Sequence, residues 1–398
     1  MNLNRKKSVP LQVSIDDIMK MDIRNHKFII LGSYGANALG QIRGLGEKDI
    51  KSIAVLVGRN SYRIDKSKYI SELYDVGTIE EGLRLVLSKF GNELNRPFLY
   101  TDRDDVVALF DVHYEELKDK FFFWNAGHGR KLIRYLNKDA QIALARNCGF
   151  LVPQTEMVNV GELPKFLSYP VFTKAINSLN PYWKGNANIC HNEEELKLAY
   201  TRMDSKQILL QEYIVKQDEM PIEGISINGG EEIILLGKTA SHRLMDNTFS
   251  TYRYVTPFED ADVEQKTKAF IQEIGFTGPF EIEFILKDNK AYFLEVNFRI
   301  AQQNYGYVKL GANIPYIYAL SVLQGHIAKE QIDYIPSQKV DIMHEFEDLK
   351  ASVIHGSIPL FRWIKEFWRT DGLYFFNKND IRPFYYTILT KCMNAIHR

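Results

Sequence analysis

The chain has 398 residues, 45% of them apolar, and its 50 Lys and Arg balance its 50 Asp and Glu. That length accommodates two or three domains with a sizeable core, and zero net charge offers no global field for nucleic acid. Cys148, Cys190 and Cys392 show no metal or redox spacing, the stretch "MNLNRKKSVPLQVSIDD" lacks the apolar core of a secretory leader, and no uncharged run approaches a membrane span, so a cytoplasmic protein is expected.

From about residue 27 strands and helices alternate. "KFIILG" reads as a strand, "SYGANALGQIRGLG" as loop and helix, and "SIAVLVG" and "LYDVG" as further strands. "TIEEGLRLVLSKFGNEL" reads as a helix, and "PFLYTDRDD" as a strand running into an acidic loop. This alternation predicts an open parallel α/β sheet, with ligands at the loops that follow its strands. Gly32, Gly35 and Gly40 lack the G-x-G-x-x-G spacing, so a tight strand-to-helix turn is expected there and not a dinucleotide site.

A second unit begins with a helix from Lys138 to about Asn147, stopped by Cys148-Gly149 and Pro153. "YPVFTKAI" then gives a strand with one lysine, Lys174, "NICHNEEELKLAYTRM" an amphipathic helix, and "QILLQEYI" a strand. "EEIILLGKTASHRL" and "STYRYVTPF" read as antiparallel strands, and "ADVEQKTKAFIQEIGFTGP" as a helix. The mixture indicates α+β.

Next come "PFEIEFIL" and "AYFLEVNFR", joined by Lys287-Asp288-Asn289-Lys290, a good turn by composition. Alternation puts Glu281 and Glu283 on one face of the first strand. It puts Glu295, Asn297 and Arg299 on one face of the second, opposite Leu294, Val296 and Phe298. For Glu283 and Glu295 to share a face, the loop must hold an odd number of residues. Each polar residue alone could be a solvated sheet face. Together they supply hard oxygen ligands for Mg²⁺, lysines for a polyphosphate, and an arginine for charge on a transferred phosphoryl group. A G-x-x-x-x-G-K-[ST] loop is absent.

In this order the residues resemble the ATP-grasp superfamily, specifically its carboxylate–amine ligase branch near D-aspartate ligase, over nearly the whole chain. The resemblance implies an ATP-grasp fold preceded by an open parallel, Rossmann-like α/β domain. Its units would be residues 1–136, a small lobe at 137–210, a large lobe at 211–330 and a helical, aromatic-rich extension at 331–398. It implies that Lys138 and Lys174 bind nucleotide, that Glu212, Tyr213 and Ile214 grip adenine, and that Glu219 holds ribose. Glu283, Glu295 and Asn297 would bind Mg²⁺ (or Mn²⁺), and Arg299, with Lys174, would serve catalysis on ATP. The segment "AINSLNPYWKGNAN", with Lys184-Gly185, departs from the family's Gly- and Ser-rich phosphate lid.

The activity implied is ADP-forming joining of a small-molecule carboxylate to an amine through an acyl phosphate, on an amino acid or envelope precursor. A kinase acting on a hydroxyl and a non-catalytic ATP-binding regulator are the alternatives. Substrate contacts are sought at Lys238, His242, Arg243 and Arg253, because Arg is a natural fork for a carboxylate, and at Asp102 for an amine. Glu281 reads as a salt-bridge carboxylate, or else as a third metal-shell group or base. A homodimer is compatible with the sequence. From Phe361 to Arg398 ten aromatics and seven Lys or Arg face three acids. This segment reads as a helix packed on the core, with docking to the inner membrane face as the alternative.

Overall fold

A computed structural model describes residues 23–176, 187–203, 205–245 and 250–396. Most of the expected phosphate lid, with Lys184 and Gly185, lies outside them. Five strands, β1 (Phe28–Ser33), β2 (Ser52–Val57), β3 (Ile70–Val76), β4 (Phe98–Tyr100) and β5 (Phe122–Phe123), form a parallel sheet in the order β3-β2-β1-β4-β5. Helices α1 (Ala36–Gly46), α2 (Ile79–Phe90) and α3 (Asp104–Val112) connect them. α2 starts where its sequence says it should: the Thr78 hydroxyl accepts the Glu81 N–H, and the Glu81 carboxylate accepts the Gly77 N–H.

Helix α4 (Lys138–Asn147) leads into a four-stranded antiparallel sheet, order β6-β9-β7-β8, of β6 (Thr155–Asn159), β7 (Val171–Lys174), β8 (Asn188–Cys190) and β9 (Gln207–Glu212). Helix α5 (Glu193–Tyr200) covers it; the "NIC" expected to open this helix is β8 instead. The small sheet has its own core around Val158, Val171, Leu196 and Leu210.

The third sheet has eight strands. β10 (Asp218–Glu219), β14 (Gly278–Lys287), β11 (Ile222–Ile227), β12 (Glu232–Ser241), β13 (Tyr252–Thr256), β16 (Val340–Met343) and β17 (Gly372–Leu373) run in that order, and β15 (Lys290–Asn297) pairs with β14. Helices α6 (Ala261–Ile274), α7 (Asn304–Leu310) and α8 (Ile314–Gln324) pack around it, with α9 (Leu360–Arg369) and α10 (Arg382–Ile396) further on.

Two features differ from the division expected from sequence. The 331–398 stretch is not only helical, since β16 and β17 continue the large sheet. The first unit is not a separate core either: Phe28, Ile30, Tyr100 and Trp124 share one apolar cluster with Phe276, Ile282, Val296 and Phe298. The reason is that a parallel sheet is buried on both faces. One face uses this shared core; the other has its own around Ile29, Leu31, Val55 and Phe110.

Candidate active site

The site is built on the β14–β15 hairpin. Asp288 and Asn289, both with positive φ (50° and 59°), make a two-residue turn that pairs Lys287 with Lys290. This is an even loop, so the expected odd loop is absent. The odd residue comes later, as a bulge: Phe284 faces Phe293 but Glu283 faces Glu295, leaving Leu294 without a partner. Beyond it Ile282 faces Val296 and Glu281 faces Asn297. The apolar face of β15 is therefore carried by Phe293 and Val296, not by Leu294.

Two lysines converge on Glu295. Lys138, the first residue of α4, lies 2.5 Å from its Oε2, and Lys174, the last residue of β7, lies 3.6 Å from the same oxygen. Three separate elements thus meet at one carboxylate. Burial alone would push Glu295 up, but the two ammonium groups hold it down at about 2. Burial, with Lys138 beside it, lowers Lys174 to about 8, although Glu295 and Glu283 pull the other way.

Asn297 spends its amide NH₂ on Glu281 Oε2 (3.0 Å) and Glu283 Oε1 (2.8 Å), which leaves its oxygen as an acceptor. Gln303 donates to the other oxygen of Glu281. Burial and the charges of Glu281 and Glu295 push Glu283 well above the usual carboxylate range. A dication would supply the missing positive charge, and the donors suit Mg²⁺: Glu283, Glu295 and the Asn297 oxygen are all hard. Among the described residues no three His, Cys, Asp or Glu form a closed metal cage. Mg²⁺ needs none, since it takes one or two protein carboxylates and leaves its other positions to phosphate and water.

Arg299 reaches back to the parallel sheet. Its Nε lies 2.9 Å from Asp104 Oδ1 and its Nη2 3.3 Å from Asp104 Oδ2. Burial opposes its charge, but Asp104 and Glu281 raise its pKa further. Asp102, on the same acidic loop, accepts the Ser33 N–H at 2.8 Å and the Ser33 hydroxyl. Gly32 makes this approach feasible, because a Cβ there would lie 2.5 Å from Asp102 Oδ1. Asp102 thus closes the β1–β4 loop edge.

The other predicted residues divide by sheet face. Lys238 lies opposite Ile222, and Ile222 opposite Ile282, so Lys238 points to the face away from Glu281 and Glu283. There it lines a cavity of ≈ 400 Å³ with Gln217, Met220, Phe258 and Leu286. His242 stacks on Tyr252 and lies 2.7 Å from Asp341. Arg243 pairs with Asp348 (2.8 Å), Ser352 and Glu366, tying β12 to the C-terminal helices. Arg253 shares the carboxylate face and pairs with buried Glu219, which also holds Lys216 at 2.6 Å. Glu212 is exposed at the end of β9 and accepts the Gln154 N–H at 3.3 Å. Tyr213 N–H donates to the Pro170 carbonyl at 3.3 Å, and Ile214 is buried.

Two residues outside the expected set belong here. Gln141 accepts the Val296 N–H (2.7 Å) and donates to the Val296 carbonyl (2.9 Å), fixing the backbone between Glu295 and Asn297. Its signal was its place three residues after Lys138, on the same helix face. Glu223 faces Glu281 across β11–β14, fully buried, and among the described residues neither of its oxygens has a hydrogen-bond partner of ordinary geometry. Burial, then Glu281, pushes it well above the usual range, with only the Ala301 amide and Arg299 opposing. A lone Glu in "PIEGISI" carried no sequence signal.

An α/β sheet followed by a small antiparallel lobe and a large one, with lysines from one meeting carboxylates of the other, is the ATP-grasp fold, and this chain has it. An L-amino acid ligase from Bacillus licheniformis is similar in structure (TM-score 0.61, 17% identity, 80% of this chain and 79% of that one). So are an N5-carboxyaminoimidazole synthetase from Staphylococcus aureus (0.56, 13%, 75% and 77%) and a biotin carboxylase from Campylobacter jejuni (0.57, 17%, 78% and 72%). No family profile matches the chain. No curated protein sequence matches it either.

Proposed function

We propose that this chain is an ATP-dependent, ADP-forming carboxylate–amine ligase working through an acyl phosphate, with Mg²⁺ as its metal. The observation that carries the reading is the meeting of Lys138, Lys174 and Glu295 beside Glu283, Asn297 and Arg299. Three cations around hard oxygen ligands match a polyphosphate and its metal, and the set contains no Ser, Thr or Cys nucleophile. Structural likeness to a ligase and to a carboxyaminoimidazole synthetase supports carbon–nitrogen bond formation.

In this reading Glu283, Glu295 and Asn297 would hold Mg²⁺, which would supply positive charge to the ATP phosphates. Lys138 and Lys174 leave Glu295 to neutralise phosphate oxygens. Glu212, Tyr213 and Ile214 border the adenine, and Glu219 faces the ribose. Arg299, oriented by Asp104, stabilises charge on the phosphoryl group as the substrate carboxylate attacks it. An amine then attacks the acyl carbon and phosphate leaves. Arg253, on the same face, is the substrate-carboxylate candidate. The cytoplasm supplies the ATP.

Hydroxylamine trapping with Mg-ATP and pooled carboxylic and amino acids tests this, with Glu295→Gln in parallel. Hydroxamate and ADP from the wild type alone are expected, and splitting the pool names the donor. Mg-ATP binding with phosphate transferred to a stable hydroxyl product would overturn it in favour of a kinase.

A further inference from the structure

The C-terminal helices carry a surface that the ligase reading does not use. α9 is firmly seated: Trp363 and Phe367 are buried against Tyr252, Met343 and Leu373, and the Trp363 indole donates to Asp348 at 2.9 Å. Its only acid, Glu366, turns inward to Arg243 and is also held by Arg362. Yet its outward side is not polar. At about 100° per residue, Leu360, Phe361, Ile364 and Trp368 fall within a sector of about 100°, and Lys365, Arg369 and Arg362 occupy the adjoining sector of about 60°. Phe361 is 77% exposed and Trp368 66%. A shallow cavity of ≈ 300 Å³ is lined by Phe361, by Arg362, Lys365 and Arg369, and by Glu366, whose carboxylate is engaged by Arg243 and Arg362.

α10 continues the pattern. It buries Pro383 and Thr387 and exposes Tyr385, Ile388, Leu389, Met393 and Ile396, spaced as one stripe. An aromatic seam joins the two helices: the Phe376 ring lies 5.7 Å from Trp368 and 5.3 Å from Phe384 of α10. Single exposed apolar residues are ordinary, but two neighbouring helices with apolar stripes mark a surface that is covered in use.

We propose that this surface docks on an anionic lipid bilayer, with α9 lying in the headgroup layer. Trp368, Phe361, Leu360 and Ile364 enter the acyl boundary, while Lys365, Arg369 and Arg362 meet lipid phosphates from the adjoining sector. Among the described residues Lys365 and Arg369 have no carboxylate within ion-pair distance. A second copy is the poorer occupant, because a two-fold contact through this stripe sets the same basic sector near itself. Among the described residues no helix is long and apolar enough to cross a membrane, so contact is peripheral. With zero net charge over the chain, the attraction is local to these helices.

The test is flotation of the full chain with phosphatidylcholine vesicles, with and without phosphatidylglycerol, at low and high salt. Two variants accompany it, Lys365→Glu/Arg369→Glu and Phe361→Ser/Trp368→Ser. The expected result is flotation with the anionic vesicles only, lost at high salt, and weakened about tenfold or more in each variant. Lys365→Glu/Arg369→Glu should keep the wild-type thermal midpoint, because both side chains lie outside the packed face. Phe361→Ser/Trp368→Ser gives up the Trp368 ring contacts with Phe367 and Phe376, so it is floated well below its own midpoint. Failure to float with anionic vesicles would overturn the proposal. So would unchanged flotation of the charge-reversed variant, or a wild-type dimer that Phe361→Ser/Trp368→Ser dissolves. None of these readouts depends on turnover, so the proposal stands or falls apart from the ligase reading.

Discussion

Glu283 and Glu295 face each other across the β14–β15 ladder only because Leu294 is bulged out of it. The two-residue turn at Asp288-Asn289 alone would set Leu294 opposite Glu283 and turn Glu295 toward Ile282 and the core. Deleting Leu294 removes the bulge without changing the Glu283–Glu295 pairing. Mg-ATP affinity should then stay within about tenfold of wild type. Inserting one residue after Leu294 forces a wider bulge or a flipped face, and should weaken Mg-ATP binding about 100-fold or more. Equal losses in the two variants, read by calorimetry, would refute this account of the register.

Arg299 and Asp104 couple the parallel sheet to the hairpin by two contacts. A lysine at 299 keeps the charge but loses the fork. Arg299→Lys should cut ADP formation about 100-fold while leaving nucleotide affinity within about threefold, because the role proposed for it falls on developing charge. Asp104→Asn should give a smaller loss in the same direction. A variant in which affinity falls as much as rate would make Arg299 a nucleotide anchor.

The parallel sheet, Lys138, Lys174 and the hairpin carboxylates were legible because each leaves a short-range mark: strand–helix alternation, a helix start, or a polar face of period two. The Leu294 bulge was not legible, since parity predicts an odd loop and cannot distinguish it from an extra residue inside the strand. Lys238 was misjudged for a related reason. Its face is set by pairing with Ile222, and no local pattern in "GKTASHR" reveals that partner. The shared core of the first unit and the large lobe also depends on contacts distant in sequence, such as Tyr100 with Tyr318.

Among the described residues Glu223 is a buried carboxylate without hydrogen bonds of ordinary geometry, next to Glu281. Ionised or protonated, it burdens the ligand-free fold. Glu223→Gln, of nearly equal volume, removes the charge and should stabilise the nucleotide-free protein by about 1–3 kcal/mol in urea unfolding. A loss of stability would mean that the carboxylate is partnered, by an ordered water or a cation.

Two neighbouring buried groups make stability respond to pH in opposite senses. Burial lowers His344 from 6.5 to about 4, so between those values the unfolded chain holds the extra proton and acidification destabilises the fold. Burial raises Glu345 from 4.5 to about 7, although the N–H groups of Tyr374, Phe375 and Phe376 donate to it. Between those values the folded chain holds the extra proton, and acidification stabilises it. Each effect amounts to about 3 kcal/mol, so together they nearly cancel in mildly acidic solution. His344→Phe packs a ring among Tyr62, Tyr374 and Phe375 and leaves Glu345 unopposed. Its thermal midpoint should rise as the pH falls from about 7 to about 5, while that of the wild type stays flatter. Parallel profiles for the two proteins would show that His344 titrates alike in both states, and that its burial does not govern its proton.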